Sequence, residues 1–310
     1  MTTMMTAVRI HAFGGPEVLI AEQISIPQPA AGEMLVRISA TSINPVDFKS
    51  REGKFPPISQ DKLPVVLGRD FVGTAETAAG DFEIGDAVYG MADVDHGTYA
   101  DYIVVRPDML AAKPHSLDMV AAGVVPLAGL TAWQGLFRHG GLVAGQNLLI
   151  HGAAGGVGIF AVQFAHARGA TVFATGSQGD LAFLRKLGAD TAIDYKAERF
   201  EEVAHDIDLV LDLIGGETLD RSYGVLRAGG TIMSTVGVPD PGKLKAPSGR
   251  PGMRYMTEPS GADLAAIGAM IDAGEVRVVI AERFTLDHVA QAQARLERGG
   301  IRGKIAVLVA

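Results

Sequence analysis

The chain has 310 residues, of which 48% are hydrophobic and 20% are charged, and its formal net charge is −8. This length accommodates two globular domains, and the acidic balance excludes a nucleic-acid backbone or an anionic membrane surface as an expected partner. The sequence contains no cysteine, which excludes disulfide bonds, thiolate catalysis and any zinc site with sulfur ligands.

Neither the amino terminus nor the most apolar stretch predicts a targeting or membrane segment. The first residues, MTTMMTAVRI, lack a basic segment followed by a long apolar one. The most apolar stretch, Met119 to Phe137, contains Pro126 and several glycines, which is unlike a membrane span. We therefore expect a cytoplasmic protein.

The first third of the chain has the pattern of short β-strands. The segments Val8 to Phe13, Glu33 to Ile43 and Val65 to Glu76 are rich in Val, Ile, Phe and Thr, and turns containing Pro, Gly and Asp separate them. Short strands at this spacing predict a compact, antiparallel, barrel-like domain.

The pattern changes near Leu117, where a helical segment leads into alternating strands and helices. Strands at Asn147 to His151 and Ala170 to Thr175 flank a helix-like segment at Val157 to Arg168, and the strings TAIDY, DLVLDLI and GGTIMSTVG continue the series. This alternation predicts a doubly wound parallel sheet with right-handed crossovers. The end of the chain returns to mixed character and closes on the strand KIAVLVA.

The string GAAGGVG directly follows the strand NLLIH and opens a helix. Its glycines form a variant of the dinucleotide fingerprint, in which a bare Cα lets a diphosphate approach and a further glycine lets the helix pack on the strand. The free amides at the helix N-terminus then bind the phosphates. We therefore predict a dinucleotide site rather than a plain tight turn, formed by Gly152, Ala153, Gly155, Gly156, Val157 and Gly158.

The end of the next strand bears on the choice of cofactor. NAD-preferring sites usually carry an acidic residue there for the ribose 2′-hydroxyl, whereas this chain has Ser177. A carboxylate would repel a 2′-phosphate, but a hydroxyl can donate to it, and a hydrogen bond to a charged group contributes about 1.5–3 kcal/mol. Asp180 lies close by, although an acidic residue in the first turn of a helix also stabilises the helix dipole. Ser177 thus favours NADPH.

Further strings appear in order around the glycine turn. They are SINPVDFKSREG (42–53), LGRDFVG (67–73), GTYADYIVV (97–105), PLAGLTAW (126–133), DLIGG (212–216) and RGKIAV (302–307). With these strings the whole chain resembles the zinc-free quinone oxidoreductase (zeta-crystallin-like) branch of the medium-chain dehydrogenase/reductases. The resemblance implies an α/β fold with a GroES-like β-rich catalytic domain at residues 1–119 and 258–310. It also implies a Rossmann NADP-binding domain with a doubly wound parallel sheet at residues 120–257, and an active cleft between the two domains.

The resemblance implies functional roles for several polar residues. It places Asn44 and Asp47 near the nicotinamide and the substrate, although Asn-Pro-x-Asp also describes a turn stabilised by side-chain-to-backbone hydrogen bonds. Thr131 matches the family position beside the nicotinamide, and a threonine early in a helix is also a common cap. Lys304 and Arg302 fit the closing motif of the family, which assigns Lys304 to the cofactor site, and both could equally be solvated charges.

The resemblance also implies cofactor contacts outside the glycine turn. Tyr195 matches a family tyrosine near the 2′-phosphate, and its alternative is a half-buried aromatic residue of a strand. Val236 and Gly237 follow a strand and would lie against the carboxamide of the nicotinamide, with Ile214 of the DLIGG string as a further contact.

Two departures from the family pattern bear on cofactor and substrate. Many relatives carry a lysine shortly after the serine at position 177, where this chain has Gln178, Gly179 and Asp180. Relatives that reduce enoyl thioesters carry a tyrosine where this chain has Phe55, and a ring without a hydroxyl cannot donate a proton. The first departure reduces the support for NADPH, and the second disfavours an enoyl-thioester substrate.

We expect no catalytic zinc. Zinc-dependent relatives need a cysteine in the segment Ser42 to Asp47 and a histidine where this chain has Gly68-Arg69-Asp70, and His96 and His151 are isolated. A metal ion lowers the pKa of a bound alcohol oxygen, whereas reduction of a quinone or an α,β-unsaturated carbonyl spreads the charge onto a phenolate or enolate. We therefore expect an NADPH:quinone reductase-like enzyme (EC 1.6.5 class) that transfers hydride by positioning its reactants. Asn44 would orient the acceptor oxygen and Thr131 the nicotinamide ring.

Two other functions fit the same sequence. An enoyl or alkenal reductase that acts on lipid-derived acceptors would use the same site. A cofactor-binding crystallin-like protein without physiological turnover is an alternative of a different class. Consumption of NADPH with a quinone would distinguish an enzyme from such a protein. As partners we expect a small-molecule quinone or enone and, from the family, a second copy of the chain in a homodimer.

Overall fold

The computed structural model describes residues 3–243 and 252–309. Its strands are β1 (Met4–Ile10), β2 (Ile20–Ser25), β3 (Met34–Ile43), β4 (Val65–Val66), β5 (Asp70–Ala75), β6 (Ala87–Met91), β7 (Tyr102–Val105), β8 (Leu110–Ala112), β9 (Asn147–His151), β10 (Thr171–Gly176), β11 (Thr191–Asp194), β12 (Ile207–Asp212), β13 (Leu226–Ser234), β14 (Met253–Arg254), β15 (Ile280–Thr285) and β16 (Lys304–Leu308). Its α-helices are α1 (Pro45–Arg51), α2 (Met119–Ala122), α3 (Pro126–Trp133), α4 (Gly158–Ala167), α5 (Leu181–Lys186), α6 (Gly216–Ser222), α7 (Gly261–Asp272) and α8 (Val289–Glu297), and a π-helical segment (Gln134–His139) continues α3.

The chain divides into two compact units. The first consists of Met1–Leu130, Glu258–Ala273 and Val278–Ala310, and the second of Thr131–Thr257 and Gly274–Arg277. The first boundary therefore lies later than the predicted residue 119, because α2 packs on β3, β5 and β16, and the amide of Leu127 in α3 donates to Asp70 of β5. The predicted domain ranges also include residues 1–2, 244–251 and 310, which lie outside the described residues.

The first unit is built on a mostly antiparallel sheet with strand order β15-β16-β3-β5-β6-β8, in which β7 pairs with β3 and β15 pairs in parallel with β16. A smaller antiparallel sheet has the order β2-β1-β4. In β3, the alternate residues Met34, Val36 and Ile38 are all buried, as expected for one face of a strand that packs on a core. The predicted strand Val65 to Glu76 is interrupted at Gly68, whose φ of +93° is incompatible with a continuous strand.

The second unit is a six-stranded parallel sheet with strand order β11-β10-β9-β12-β13-β14. The chain moves outward from β9 through β10 to β11 and then returns to the other side of β9 with β12. The strand order therefore reverses between β9 and β12, which is where open parallel sheets bind ligands, beyond the carboxyl ends of the strands. The predicted α/β fold class, with a β-rich domain and a parallel sheet whose strand order reverses, is confirmed.

Within residues 3–243 and 252–309, no helix has the length and apolar character needed to cross a membrane.

Candidate functional site

The turn between β9 and α4 combines tight backbone geometry with an open face. Gly152 has a φ of +76°, a left-handed conformation that favours glycine. A Cβ atom on Gly158 would lie 2.5 Å from the Cα of Ala153, so the helix packs too closely on the turn for any side chain. A Cβ atom on Gly155 would have one described neighbour within 4 Å, the carbonyl oxygen of Gly152 at 3.4 Å. The turn therefore has no room for a side chain at Gly158, where the helix packs on it, and has free space beside the Cα of Gly155. A diphosphate-binding loop requires both features.

The start of α4 offers backbone donors beside this open face. The half-buried Gly156 and Val157 lead into the helix, and no side chain caps its N-terminus. The amides at a helix N-terminus attract anions. In α4 the amides of Ile159 and Ala161 already donate to the carbonyl oxygens of Gly155 and Val157, so the amides of Gly156 to Gly158 are the candidate donors. Ala153 is buried and donates its amide to the carbonyl oxygen of Thr175, which anchors the turn to β10. These residues fit the diphosphate of a dinucleotide.

Two further turns lie beside the glycine turn at the same edge of the sheet. A Cβ atom on Gly152 would be 3.1 Å from Cδ1 of Ile214, and one on Gly215 would be 3.2 Å from Cγ2 of Val236. The side chains of Ile214 and Val236 are 57% and 38% exposed, and Gly237 is half-buried in the turn that follows β13. The structure thus brings the predicted residues of three separate strings together at the carboxyl ends of β9, β12 and β13.

Ser177 and Asp180 are bonded to one another. The amide of Ser177 donates to Oδ2 of Asp180 at 3.0 Å, and the hydroxyl of Ser177 donates to the same oxygen. This arrangement is a capping box at the start of a helical turn, which is the structural alternative that the sequence allowed for Asp180. The hydroxyl hydrogen expected to reach a 2′-phosphate is directed to Asp180 in this structure.

Tyr195 lies next to this cap. Its amide donates to the carbonyl oxygen of Gly176 at 3.1 Å, and its ring is 58% exposed, so the predicted half-buried alternative is wrong. The Nζ atom of the following residue, Lys196, lies 5.7 Å from the centroid of the Tyr195 ring. No sequence signal marks Lys196, because the family pattern has its cation shortly after Ser177 and not at the end of the neighbouring strand.

Thr131 lies inside α3 and is buried, so the capping alternative is wrong. Its Oγ1 lies 2.6 Å from Oγ1 of Thr257, and its carbonyl oxygen accepts from the hydroxyl of Tyr255 at 2.8 Å. The amide of Tyr255 in turn donates to the carbonyl oxygen of Ser234 at the end of β13. Thr131 is therefore joined to the sheet edge that carries Val236. Tyr255 and Thr257 belong to no recognisable motif, which is why the sequence did not reveal them.

In the first unit, Asn44 and Asp47 form the start of α1. The amide of Asn44 donates to Oδ2 of Asp47 at 2.7 Å, and the two residues make a capping box with Pro45 in the first turn of the helix. The hydroxyl of Tyr99 donates to the same carboxylate oxygen at 2.9 Å. The side-chain-to-backbone hydrogen bonds expected of an Asn-Pro-x-Asp turn are thus present. They hold the side chains of Asn44 and Asp47 in a buried cluster.

The side chain of Asn44 is held between opposite charges. Its Nδ2 donates to Oδ2 of Asp70 at 2.8 Å and to Oγ of Ser42 at 3.3 Å, while its Oδ1 accepts from Nζ of Lys304. Lys304 is buried, so the alternative of a solvated charge is wrong for this residue, whereas Arg302 is exposed. The structure brings Lys304, which the sequence assigned to the cofactor, together with Asn44 in the first unit.

Asp70 also belongs to the polar cluster around Asn44, which the sequence did not predict. It is buried, it accepts from Ser42 and Asn44 and from the amide of Leu127, and its Oδ2 lies 3.5 Å from Nζ of Lys304. In the string LGRDFVG its segment is notable only for the missing histidine of the zinc-dependent relatives. Among the described residues, no group of three or more histidine, aspartate or glutamate side chains is arranged to hold a metal ion.

Burial changes the protonation of this cluster. It raises the pKa of Asp47 to about 7, against the opposing effect of the hydrogen bonds from Asn44 and Tyr99. Burial also lowers the pKa of Lys304, and the nearby carboxylates of Asp70 and Asp47 oppose that shift. In the second unit, burial lowers the pKa of His151 to about 4, so this histidine is neutral and packs between Thr175 and Ser222.

Two family models match the chain. The model described as "Alcohol dehydrogenase GroES-like domain" matches residues 30–115, and the model described as "Zinc-binding dehydrogenase" matches residues 187–307. Together they cover more than half of the chain.

Individual relatives are similar over nearly the whole chain. The 2-methylene-furan-3-one reductase of Solanum lycopersicum is 34% identical over 95% of this chain and 76% of its own length. The chloroplastic NADPH-dependent alkenal/one oxidoreductase of Arabidopsis thaliana is 34% identical over 95% of this chain and 77% of its own length. The solved structure of the quinone oxidoreductase from Coxiella burnetii is 33% identical, has a TM-score of 0.90, and matches over 99% of this chain and 100% of its own.

The chain therefore belongs to the quinone oxidoreductase branch of the medium-chain dehydrogenase/reductases, and it is an oxidoreductase. The family predicted from the sequence is confirmed.

The two glycines of the turn provide a matched pair of substitutions. Gly158→Ala should lower the melting temperature, because its Cβ would overlap the backbone of Ala153. Gly155→Ala should leave the melting temperature unchanged and weaken binding of a nicotinamide dinucleotide about ten- to hundredfold, the equivalent of a lost hydrogen bond to a charged group. Thermal unfolding and a fluorescence titration measure the two effects. Equal affinity in Gly155→Ala and the wild type would contradict the assignment of the turn.

The raised pKa of Asp47 makes a second prediction, about stability. The folded pKa of about 7 exceeds the ordinary value of 3.8, so the folded state binds the proton more tightly than the unfolded state. The free energy of unfolding should therefore fall as the pH rises between these values, with a slope approaching about 1.4 kcal/mol per pH unit, and then level off.

Asp47→Asn should remove this contribution while keeping a side chain of the same shape. Denaturant unfolding between about pH 5 and 8 measures the difference from the wild type, with Asp81→Asn, at an exposed position of the same unit, as the control. Parallel stability curves for the wild type and Asp47→Asn would show that Asp47 is ionised throughout this range.

Proposed function

We propose that the chain is an NADPH-preferring reductase that transfers hydride to the conjugated carbonyl of a quinone or an enone without zinc. The observation that carries this proposal is the glycine turn at the reversal of strand order, which is closed at Gly158 and open at Gly155. The named activities of the relatives from tomato, Arabidopsis and Coxiella support the acceptor class.

The second unit would bind the cofactor. The amides of Gly156, Val157 and Gly158, where the glycine turn leads into α4, would hold the diphosphate. The exposed apolar side chains of Ile214 and Val236, with the backbone of Gly237, would contact the nicotinamide end, and Thr131 would help to orient the ring. The bound cofactor supplies the hydride, at C4 of the nicotinamide.

The first unit would act on the substrate through a rigid polar cluster. The described bonds of Asn44 to Asp70, Ser42 and Lys304 fix its amide, so we propose that it shapes the substrate site and does not swing toward the acceptor. Hydride addition to the conjugated system leaves the charge on a phenolate or enolate oxygen, and a solvent proton completes the reduction. Positioning of the reactants would then supply most of the catalysis.

The proposal of a zinc-independent reaction rests on the available donors. The chain has no cysteine, and the carboxylate of Asp70 already accepts hydrogen bonds from Ser42, Asn44 and Leu127. A zinc ion would have to displace these bonds and find further ligands, and the described part of the chain has no group of three or more histidine, aspartate or glutamate side chains arranged to hold one.

We expect consumption of NADPH with benzoquinones, naphthoquinones, alkenals or enones, undiminished by a chelator such as 1,10-phenanthroline. Absorbance at the nicotinamide band measures the rate, and product analysis distinguishes a hydroquinone from a saturated carbonyl. The enone and alkenal reductases among the relatives favour the saturated carbonyl as the second candidate. Binding of NADPH without turnover of any acceptor would contradict an enzymatic role. Loss of activity with the chelator would contradict zinc independence.

NADPH preference is proposed to depend on Lys196. Its ammonium lies beside the ring of Tyr195, whose amide joins β11 to Gly176, the residue before Ser177. A positive charge at this end of β10 would favour a 2′-phosphate and offset the carboxylate of Asp180.

Lys196→Glu should lower the ratio of kcat/KM for NADPH over NADH by roughly tenfold or more, since it replaces an attraction to the phosphate with a repulsion. The matched control is Lys186→Glu, which makes the same charge change at an exposed position at the end of α5. Asp180→Asn should change the ratio in the opposite direction. An unchanged ratio in Lys196→Glu would contradict the role of this lysine.

The cytoplasmic location and the homodimer expected from the sequence are part of the proposal, and cell fractionation and light scattering would test them.

A further inference from the structure

A buried carboxylate, Asp212, joins two turns at the edge of the parallel sheet. It ends β12 and is fully buried. Its Oδ1 accepts from the amides of Ile214 at 3.0 Å and Gly215 at 2.9 Å, and its Oδ2 accepts from the hydroxyl of Ser234 at 2.7 Å. One side chain therefore fixes the turn after β12 and reaches the end of the neighbouring strand.

Ser234 continues the connection to the turn after β13. Its hydroxyl oxygen accepts from the amides of Val236 at 3.2 Å and Gly237 at 2.9 Å while it donates to Asp212. The pair arises from strand register, because Asp212 and Ser234 are direct partners in the parallel pairing of β12 with β13. Four backbone amides from two turns are thus held by one carboxylate and one hydroxyl.

This arrangement orders the two turns relative to one another. A buried carboxylate is costly without hydrogen bonds, and hydrogen bonds to an ionised group are roughly twice as strong as neutral ones. The amides of these turns have left the strand ladder, so they also need buried acceptors. The carboxylate and the amides satisfy each other in one backbone geometry, before any ligand binds.

We propose that Asp212 and Ser234 are positioning residues for the nicotinamide end of the cofactor. The inference rests on the proposed function, which assigns Ile214, Val236 and Gly237 to that end. The described side-chain hydrogen bonds of the pair go to the backbone of the turns after β12 and β13, whereas the glycine turn is assigned to the diphosphate. It should therefore govern the orientation of the nicotinamide ring more than the affinity for the adenosine end.

The same strand contains a control. Thr231 lies on β13, and its buried hydroxyl has no hydrogen-bonding partner among the described residues. Thr231→Val removes this hydroxyl at nearly constant volume, whereas Ser234→Ala removes one that bonds the carboxylate and two amides. Both variants lose a buried hydroxyl from one strand, and only the second should affect the turns.

The experiment compares the wild type, Ser234→Ala, Ser234→Thr, Asp212→Asn and Thr231→Val. Affinity is measured for NADPH and for 2′-phospho-ADP-ribose, which lacks the nicotinamide, and the hydride face is read with NADPH deuterated at C4 on either side. In Ser234→Ala and Asp212→Asn we expect turnover to fall roughly a hundredfold, the scale of a misplacement of about 1 Å, with mixed use of the two faces. Affinity for 2′-phospho-ADP-ribose should stay within about twofold. Ser234→Thr, which keeps the hydroxyl, and Thr231→Val should resemble the wild type.

Two results would overturn the inference while the proposed function stands. In one, Ser234→Ala keeps wild-type turnover and a single hydride face. In the other, it loses affinity equally for NADPH and for 2′-phospho-ADP-ribose, which indicates general damage to the fold. A wild-type protein that binds no nicotinamide dinucleotide would overturn the proposed function and, with it, this inference. Mixed use of the two hydride faces separates the proposed positioning role from a purely structural one.

Discussion

The candidate nucleotide-binding edge depends on the register of one parallel sheet. Because β9, β10, β12 and β13 run in the same direction, Thr175, Asp212 and Ser234 reach the same edge although they are far apart in the chain. The turns after β9, β12 and β13 contain amides that have left the ladder, and the buried side chains of Thr175, Asp212 and Ser234 accept from them. The inward-pointing amides are thereby satisfied by the protein itself. At the start of α4 the amides of Ile159 and Ala161 donate to the carbonyl oxygens of Gly155 and Val157, so the candidate donors to an anionic ligand are the amides of Gly156 to Gly158.

The polar cluster of the first unit also arises because buried polar groups need hydrogen-bonding partners. Here two of the buried groups, Lys304 and Asp70, can carry charge. A buried ammonium and a buried carboxylate each carry a large desolvation cost, which hydrogen bonds and mutual attraction must offset. Asn44 lies between Lys304 and Asp70, and only one orientation of its amide gives the carbonyl to the ammonium and the amino group to the carboxylate. The charges therefore fix the orientation of the amide. The fixed side chain of Asn44 would contribute to the shape and the electrostatic field of a substrate site without having to move.

Sequence patterns predicted those features whose cause is local. The strand Asn147–His151 and the roles of Gly152 and Gly158 follow from apolar runs and from the steric freedom of glycine. Other features depend on distant partners. Lys304 was open to interpretation as a solvated charge because its partners Asn44 and Asp70 lie in other strings of the chain, and only the antiparallel pairing of β16 with β3 brings them together. Asp212 belonged to a recognised string, but its role is visible only from its register with Ser234.

In the proposed cofactor site, helix capping and phosphate binding would compete for the hydroxyl hydrogen of Ser177. The hydroxyl of Ser177 has a single hydrogen, and the capping box gives it to Asp180. The cap stabilises the start of a helical turn whether or not a ligand is present, and it leaves a carboxylate close to the proposed position of a 2′-phosphate. A positive charge must then come from outside the capping segment. The end of β11 lies next to that of β10, so the first residues after it, Tyr195 and Lys196, are where the fold can supply one without breaking the cap.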